Sequence, residues 1–436
     1  MSKRIKFGEM VGQLRLDLDA VPEHRTGENT QYTITDAGLS ALSVFFMQSP
    51  SFLAHQRDMK RKKGTSNLQS LFAVEQAPSD GQIRNLLDPV APSAVFSSFW
   101  WVYETLKQRG HLDGYRGVGG SLFVSLDGAT YFSSQTIHCP SCRVQVHDET
   151  AHYTHPVLSA VLVSPQQEQV IALAPEFILP QDGHDKQDCE QEGIKRWVQT
   201  NHEHFEAWEL TVTTDDLHSH QPLCQMLLAH TIHFLMTAKP QSHEALTTEV
   251  ALLEKVEGGI HSLTTRRWNG RFHEESRYRW TTQVPLRATT DTLHVNWCEV
   301  TVINVESGER LYHNSWITSH DVSEETVVEL VAAARAHWKV ENEAHNVLKH
   351  HGYHFDHNFG HGQQHLSTLL LTLLLFAFLM HTVLHLTAKR YRAVRTELGR
   401  RRTFFNDLRA LTRYHLFSSW HQLLTFMYQG LDLAPG

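Results

Sequence analysis

The feature that most constrains the fold of this chain is an uncharged run of 23 residues, 366–388. No Lys, Arg, Asp or Glu interrupts it, and its first 15 residues, 366–380, are mostly apolar. Such a segment must either cross a membrane or lie inside a large core. His381 and His385 interrupt its second half, and the whole chain is polar, with a mean hydropathy of −0.35. These features favour a buried core helix and no membrane partner, with a membrane-tethered protein as the alternative.

Length and composition limit the class of protein. At 436 residues the chain is too long for one ordinary core, so two or three domains are expected. Hydrophobic residues make up 41% and charged residues 20%, which indicates a globular protein. The net charge of −8 leaves any nucleic-acid contact to local basic patches. Five scattered Cys and no signal-peptide pattern predict a cytoplasmic protein.

The spacing of apolar residues changes along the chain. Residues 1–118 have mostly helical spacing, whereas three β-like runs, 122–135, 155–163 and 169–179, predict an antiparallel meander. After the meander, helical and β-like segments alternate: 186–208 (helix), 210–214 (strand), 221–229 (helix) and 232–238 (strand). This order predicts an α/β fold with a mixed sheet flanked by helices.

Residues 335–349 carry three chemically distinct side chains at helical spacing. Glu341, His345 and Lys349 follow one another at intervals of four residues, so on an α-helix they share one face. An acid, an imidazole and an amine are thereby brought together. A solvated amphipathic helix is the alternative for the segment taken alone.

Three carboxylates stand out by their context. Asp127 and Asp215 each end a β-like run, and Glu341 lies on the later helix. Hard divalent cations prefer oxygen ligands, and two ions about 3.5–4 Å apart assist in-line phosphoryl displacement. Acids at neighbouring strand ends and on one flanking helix are suited to hold such a pair. Each Asp taken alone is more often a turn residue or a helix cap.

Four sequence blocks stand out along the chain: LDGATYFSSQ (126–135), PEFILPQDG with KQDCE (175–190), TDDLH (214–218), and HWKVEN with Lys349 and HNFGH (337–361). They resemble the blocks of DDE-type bacterial insertion-sequence transposases and occur in the order typical of that family. The resemblance extends over about residues 40–390, which is nearly the whole chain.

The resemblance implies a ribonuclease-H-like catalytic domain interrupted by a β-rich insertion. It further implies that Asp127, Asp215 and Glu341 bind two Mg²⁺ ions, and that the protein nicks element ends and transfers them to target DNA. The implied partners are double-stranded DNA and a second copy of the chain, in a nucleoid-associated complex. A catalytically inactive, zinc-binding and DNA-binding relative is the alternative.

The chain departs from the family pattern near the third acid. His337 stands where relatives carry Arg, and Ala334 stands where they carry Tyr. Their Lys lies seven residues after the Glu, whereas here Leu348 has that place and Lys349 comes one later. One residue rotates a helical side chain by about 100°, which leaves the role of Lys349 open. Asp216 is the alternative to Asp215 as the second acid.

Two further groups of residues suggest binding. Cys139 and Cys142 have zinc-ligand spacing, and His147 with Cys189 or His184 would complete a site. Two free thiols in a β-turn are the alternative. Among the nine Lys and Arg of 389–413, the run Arg400, Arg401 and Arg402 is interpreted as contacting the DNA backbone, together with His337 and Lys349.

These patterns predict five segments. They are a helical N-terminal region that is a candidate for DNA binding (1–118), the first part of the catalytic domain (119–239), a β-rich insertion (240–318), the second part of the catalytic domain with the Glu-bearing and apolar helices (319–388), and a basic helical tail (389–436).

Overall fold

The fold is known from a computed structural model that describes residues 4–26, 30–59, 66–180, 186–205 and 208–433. Helices come first, as the sequence predicts. Most of them begin with a side-chain cap: Thr33, Ser51, Ser66 and Ser79 each accept a hydrogen bond from a backbone N–H in the first turn. The helices are α1 (Phe7–Asp19), α2 (Ile34–Phe46), α3 (Phe52–Asp58), α4 (Asn67–Phe72), α5 (Asp80–Leu87) and α6 (Phe96–Gln108).

One mixed sheet follows these helices. Its strands are β1 (Leu122–Ser134), β2 (Arg143–His147), β3 (Thr150–Val163), β4 (Ile171–Ala172), β5 (Glu176–Phe177), β6 (Leu210–Thr214), β7 (His233–Thr237), β8 (His261–Trp268), β9 (His273–Pro285), β10 (His294–Asn304) and β11 (Arg310–Thr318). The order is β2-β3-β1-β6-β7-β11-β10-β9-β8, and β4 and β5 also pair with β3. The expected mixed α/β fold is therefore confirmed.

The pairing of neighbouring strands changes twice across this sheet, from antiparallel to parallel and back to antiparallel. β1 is antiparallel to β3 but parallel to β6, and β6 is parallel to β7. β11 returns antiparallel to β7, and β8 to β11 pair antiparallel in sequence. The β-rich region predicted at 240–318 thus extends the same sheet. Of the predicted meander, the run 169–179 forms only the two short strands β4 and β5, and the β2–β3 hairpin was not predicted.

Among the described residues after β5, three α-helices lie between strands and six follow the last strand. They are α7 (Lys186–Asn201), α8 (Gln221–Ala229), α9 (Glu244–Leu253), α10 (Val327–Arg335), α11 (Asn346–His350), α12 (Leu366–Thr387), α13 (Lys389–Glu397), α14 (Arg401–Tyr414) and α15 (Trp420–Gly430).

The apolar run forms α12, and every residue from Thr368 to Leu384 is buried. Its neighbours include α2, whose residues are all buried. By length and composition α12 is the one described helix that could cross a membrane, but 89% of its most apolar window is buried inside the protein. This burial agrees with the predicted core helix.

Candidate functional site

The register of two parallel strands brings two of the predicted acids together. β1 and β6 pair Ser125 with Thr213. Asp127 lies two residues further along β1, and Asp215 is the first residue after β6, so both stand at the same end of the paired parts of two strands that are about 4.8 Å apart. Both side chains reach solvent, with exposed fractions of 25% for Asp127 and 49% for Asp215.

The third acid lies on the same surface. Asp127, Asp215 and Glu341 line one cleft of about 440 Å³, which we call the acidic cleft. Three segments that are distant in sequence thus place carboxylates around one solvent-filled space. Oxygen donors of this kind are the ligands that Mg²⁺ prefers.

The two adjacent aspartates have different surroundings. Asp216 is turned away: it accepts hydrogen bonds from the backbone N–H of Lys239 at 2.6 Å and from Ser242 Oγ at 2.5 Å. Together with His243 these donors hold the pKa of Asp216 below its ordinary value, although burial acts to raise it. Asp215 accepts from the N–H of Leu217 and faces the acidic cleft. Of the two candidates, the geometry favours Asp215.

The segment that carries Glu341 is not a regular α-helix. Between α10 and α11 the chain makes a 3₁₀ turn and then a π-helical segment, Val340–His345. In this segment the N–H of Asn346 donates to the carbonyl of Glu341, five residues back. Such wide turns insert one residue into a helix and often occur at functional sites.

The π-helical segment bears on the position of Lys349. In an α-helix, the residue seven positions after Glu341 would lie about 20° from it around the axis, and the residue eight after it about 80° from it. One inserted residue shifts every later residue by one position around the helix, so that the eighth residue after Glu341 takes the place of the seventh. Leu348 is accordingly buried, at 1% exposure, while Lys349 lines a second cleft of about 480 Å³ together with Asp127 and Glu341. The second cleft therefore adjoins the acidic cleft.

A buried carboxylate lies behind the acidic cleft and contacts a histidine next to Asp215. Glu190 on α7 accepts a hydrogen bond from His218 Nε2 at 3.1 Å, and the same nitrogen lies 3.7 Å from Asp215 Oδ1. A side chain at position 128 would overlap with Glu190, so Gly128 lets this carboxylate approach β1. In the sequence, Glu190 is only the last residue of the second block. Its position beside Gly128 depends on the packing of α7.

Two histidines also contact the acids. His345 Nδ1 lies 3.5 Å from Asp127 Oδ2. His337 lines the acidic cleft, with Nδ1 3.3 Å from Thr213 Oγ1, and burial lowers its pKa to about 4, although Asp215 acts to raise it. His337 is thus neutral at pH 7. A contact with DNA would use its hydrogen-bonding nitrogens rather than a positive charge.

The basic tail is only partly available to a ligand. Arg401 donates to the Tyr353 hydroxyl at 3.1 Å, and Arg409 donates to the carbonyls of Met47 and Gln48. These contacts anchor α14 to the protein. Five basic residues in the described part of the tail are exposed, Lys389, Arg392, Arg400, Arg402 and Arg413, and of these Arg413 is paired with Asp58.

The predicted zinc half-site has two unexpected companions. Cys139, Cys142, His155 and His361 are all buried, and their four donor atoms lie within 4.8 Å of one another; we call them the Cys/His cluster. Burial raises the pKa of Cys142 to about 11 and lowers that of His155 to about 4. The side chains of His147 and Cys189, and residue His184, lie outside the described residues.

Comparisons with known proteins add little to this geometry. No protein-family model and no curated protein matches the sequence. Among solved structures, the chain is similar to a piggyBac transposase, determined as a synaptic complex with hairpin DNA. The alignment has 10% identity and a TM-score of 0.38, and it covers 98% of this chain and 79% of the other.

Proposed function

We propose that this protein is a DNA transposase that cleaves and transfers DNA strands in a metal-dependent reaction. The observation that carries the proposal is the acidic cleft, in which Asp127, Asp215 and Glu341 converge from two parallel strands and one flanking helix. The four sequence blocks that resemble DDE-type transposases give these same residues the catalytic roles. The sequence resemblance and the spatial convergence point to the same three residues.

We assign the catalytic unit to the part of the sheet where antiparallel pairing gives way to parallel pairing. β3 and β1 are antiparallel, β1, β6 and β7 are parallel, and α7, α8, α10 and α11 flank them. This mixed arrangement supports a ribonuclease-H-like unit with β8–β11 as the insertion. We further propose that the catalytic unit is preceded by a helical region that ends at residue 118 and followed by a basic tail that begins after residue 388.

Asp127, Asp215 and Glu341 would hold two Mg²⁺ ions in the acidic cleft. Their carboxylate oxygens suit hard cations, and the open cleft leaves room for a substrate phosphate. Bound there, the ions supply charge neutralisation at the attacking and leaving oxygens of an in-line displacement. His345 lies 3.5 Å from Asp127, and His218, which is hydrogen-bonded to Glu190, lies 3.7 Å from Asp215. An imidazole beside each aspartate would help to orient it for metal binding.

Lys349 is placed to contact the DNA backbone. It lines the second cleft with Asp127 and Glu341, and a lysine amine binds phosphate as a point charge. The exposed basic residues of the tail, Arg400 and Arg402 among them, would add sequence-independent contacts. We propose that the substrate is double-stranded DNA at the ends of the element, held by two copies of the chain.

The test is a nicking and strand-transfer assay on a plasmid that carries the DNA flanking this gene. Wild-type protein should cleave it with Mg²⁺ and not with EDTA. Asp127→Asn, Asp215→Asn and Glu341→Gln should each abolish cleavage and leave DNA binding and the melting temperature nearly unchanged. Matched controls are Asp216→Asn and Glu343→Gln, which change neighbouring acids outside the acidic cleft and should retain cleavage.

Two outcomes would oppose the assignment. Full cleavage by any of the three cleft variants would remove that residue from the catalytic set. Tight DNA binding without Mg²⁺-dependent cleavage of any substrate would favour the alternative of a catalytically inactive zinc-binding and DNA-binding relative, which the Cys/His cluster keeps open.

A further inference from the structure

We propose that the Cys/His cluster is a structural Zn²⁺ site in which Cys139, Cys142, His155 and His361 are the four ligands. The proposal does not depend on the transposase function. It assigns a closed metal site that joins the β1–β3 region to a segment 219 residues later. It also changes the ligand set expected from sequence by bringing in two histidines, on β3 and before α12.

The distances within the cluster fit one tetrahedral shell. With Zn–S of about 2.3 Å and Zn–N of about 2.05 Å, a tetrahedron has edges of about 3.8 Å for S–S and 3.6 Å for S–N. The two sulfurs are 3.9 Å apart. His155 Nε2 lies 3.5 Å from Cys139 Sγ and 3.3 Å from Cys142 Sγ, and His361 Nε2 lies 3.5 Å from Cys142 Sγ. These four of the six edges agree within about 0.3 Å, and the other two are no longer than 4.8 Å.

The surroundings of the cluster are those of a structural site. All four residues are at most 8% exposed, so a bound ion would have no open coordination position for substrate. Phe132 packs against both imidazoles, with ring centroids 4.4 Å from His361 and 5.7 Å from His155. The backbone N–H of Cys139 donates to Cys142 Sγ at 3.3 Å, which would stabilise a thiolate there.

The donor set also identifies the metal. Two thiols and two imidazoles in tetrahedral positions suit Zn²⁺, whereas Mg²⁺ and Ca²⁺ require oxygen ligands. A Cys139–Cys142 disulfide would use two of the four donors and leave the convergence of the two histidines unexplained. The four-ligand site accounts for all of them.

The position of His361 indicates what the ion would do. His361 lies in the segment between α11 and α12, 219 residues after Cys142. This segment is also fastened by Asp88, which accepts hydrogen bonds from the backbone N–H groups of Gln363, Gln364 and Leu366. A bound Zn²⁺ would therefore tie the β1–β3 region to the chain that leaves the Glu341 helix, and would stabilise a contact whose loop-closure cost is high.

The experiment measures metal and stability in the full-length protein, without DNA. Wild-type protein purified in zinc-containing medium should hold one Zn²⁺ per chain by elemental analysis. Replacing the ion with Co²⁺ should give the visible spectrum of tetrahedral, thiolate-bound cobalt. Cys142→Ser and His361→Ala should lose the metal, and the melting temperature should fall by at least about 5 °C. Cys298→Ser, which changes a buried cysteine in β10 outside the cluster, should keep one Zn²⁺.

Three results would overturn the proposal: wild-type protein without zinc under these conditions, equal zinc in Cys142→Ser and wild type, or a Cys139–Cys142 disulfide in protein purified under reducing conditions. If the variants do not fold, the zinc content and cobalt spectrum of the wild type decide. Because no DNA assay is involved, failure here leaves the proposed transposase activity untouched, and the converse also holds.

Discussion

The acidic cleft and the Cys/His cluster are two convergence points of distant chain segments, and they differ in solvent access and in donor chemistry. The acidic cleft is open, and the side chain of Asp215 is 49% exposed. The Cys/His cluster is closed, and its donor atoms already lie close to one another. Open sites leave positions for substrate, whereas closed sites hold structure. The difference suggests that metal at the first place serves chemistry and metal at the second serves stability.

The largest expected effect is that of metal removal, which should have different consequences for the acidic cleft and for the Cys/His cluster. Withdrawing Mg²⁺ should lower cleavage by at least about 10²-fold, because metal stabilisation of the transition state contributes several kcal/mol. The melting temperature should hardly change, since the carboxylates of the acidic cleft are partly hydrated without metal. A strong zinc chelator should instead lower the melting temperature, and added Mg²⁺ should not restore it. The measurement is cleavage and thermal unfolding on the same samples.

Leu348 and Lys349 offer a matched pair that tests the π-helical segment. Leu348→Ala removes a buried side chain and should cost about 2–5 kcal/mol of unfolding free energy. Lys349→Ala should change stability by less than about 0.5 kcal/mol but weaken DNA binding. The slope of log affinity against log salt should also fall by about 0.9 for one lost phosphate contact. The opposite pattern would mean that Leu348, and not Lys349, faces the DNA.

Gly128→Ala should disturb the acidic cleft through its supporting carboxylate. The added Cβ overlaps with Glu190, which is buried and hydrogen-bonded to His218, so the neighbours must shift at a cost of about 1–3 kcal/mol. Cleavage should fall as well. Gly8→Ala on α1 is the control: no atom lies within 4 Å of its added Cβ, and alanine in a helix should stabilise by up to about 1 kcal/mol. Equal effects of the two changes would argue against the role of Glu190.

Acid should weaken the protein interior gradually, without a single sharp step. Burial lowers the pKa of His55 to about 3 and that of His320 to about 4, and it holds the pKa of His381 well below its ordinary value. In the unfolded chain these imidazoles take up protons near pH 6.5, so the unfolded state binds more protons below that pH. Stability should therefore fall below about pH 6.5, by up to about 1.4 kcal/mol per pH unit for each histidine. Urea unfolding between pH 7 and 5 measures this, and a flat profile would contradict it.

Local sequence patterns predicted several helices and strands, and part of both the acidic cleft and the Cys/His cluster. Alternation and acid placement located β1, β6 and the chain around Glu341, because strand periodicity and strand ends are local properties. The Cys-x-x-Cys spacing located half of the Cys/His cluster for the same reason. The π-helical segment after α10 was not predicted, because its single extra residue leaves the apolar periodicity of the helix almost unchanged.

The sequence by itself determined which side chains were available: three acids in strand-end or helical context, a pair of cysteines, and an apolar run that had to be buried. Only the tertiary structure decided which of 32 histidines join those cysteines, and which of two adjacent aspartates faces the cleft. It also decided that β8–β11 extend the main sheet. The physical reason is that strand register and the packing of distant segments depend on contacts across the whole chain, whereas periodicity records only neighbours.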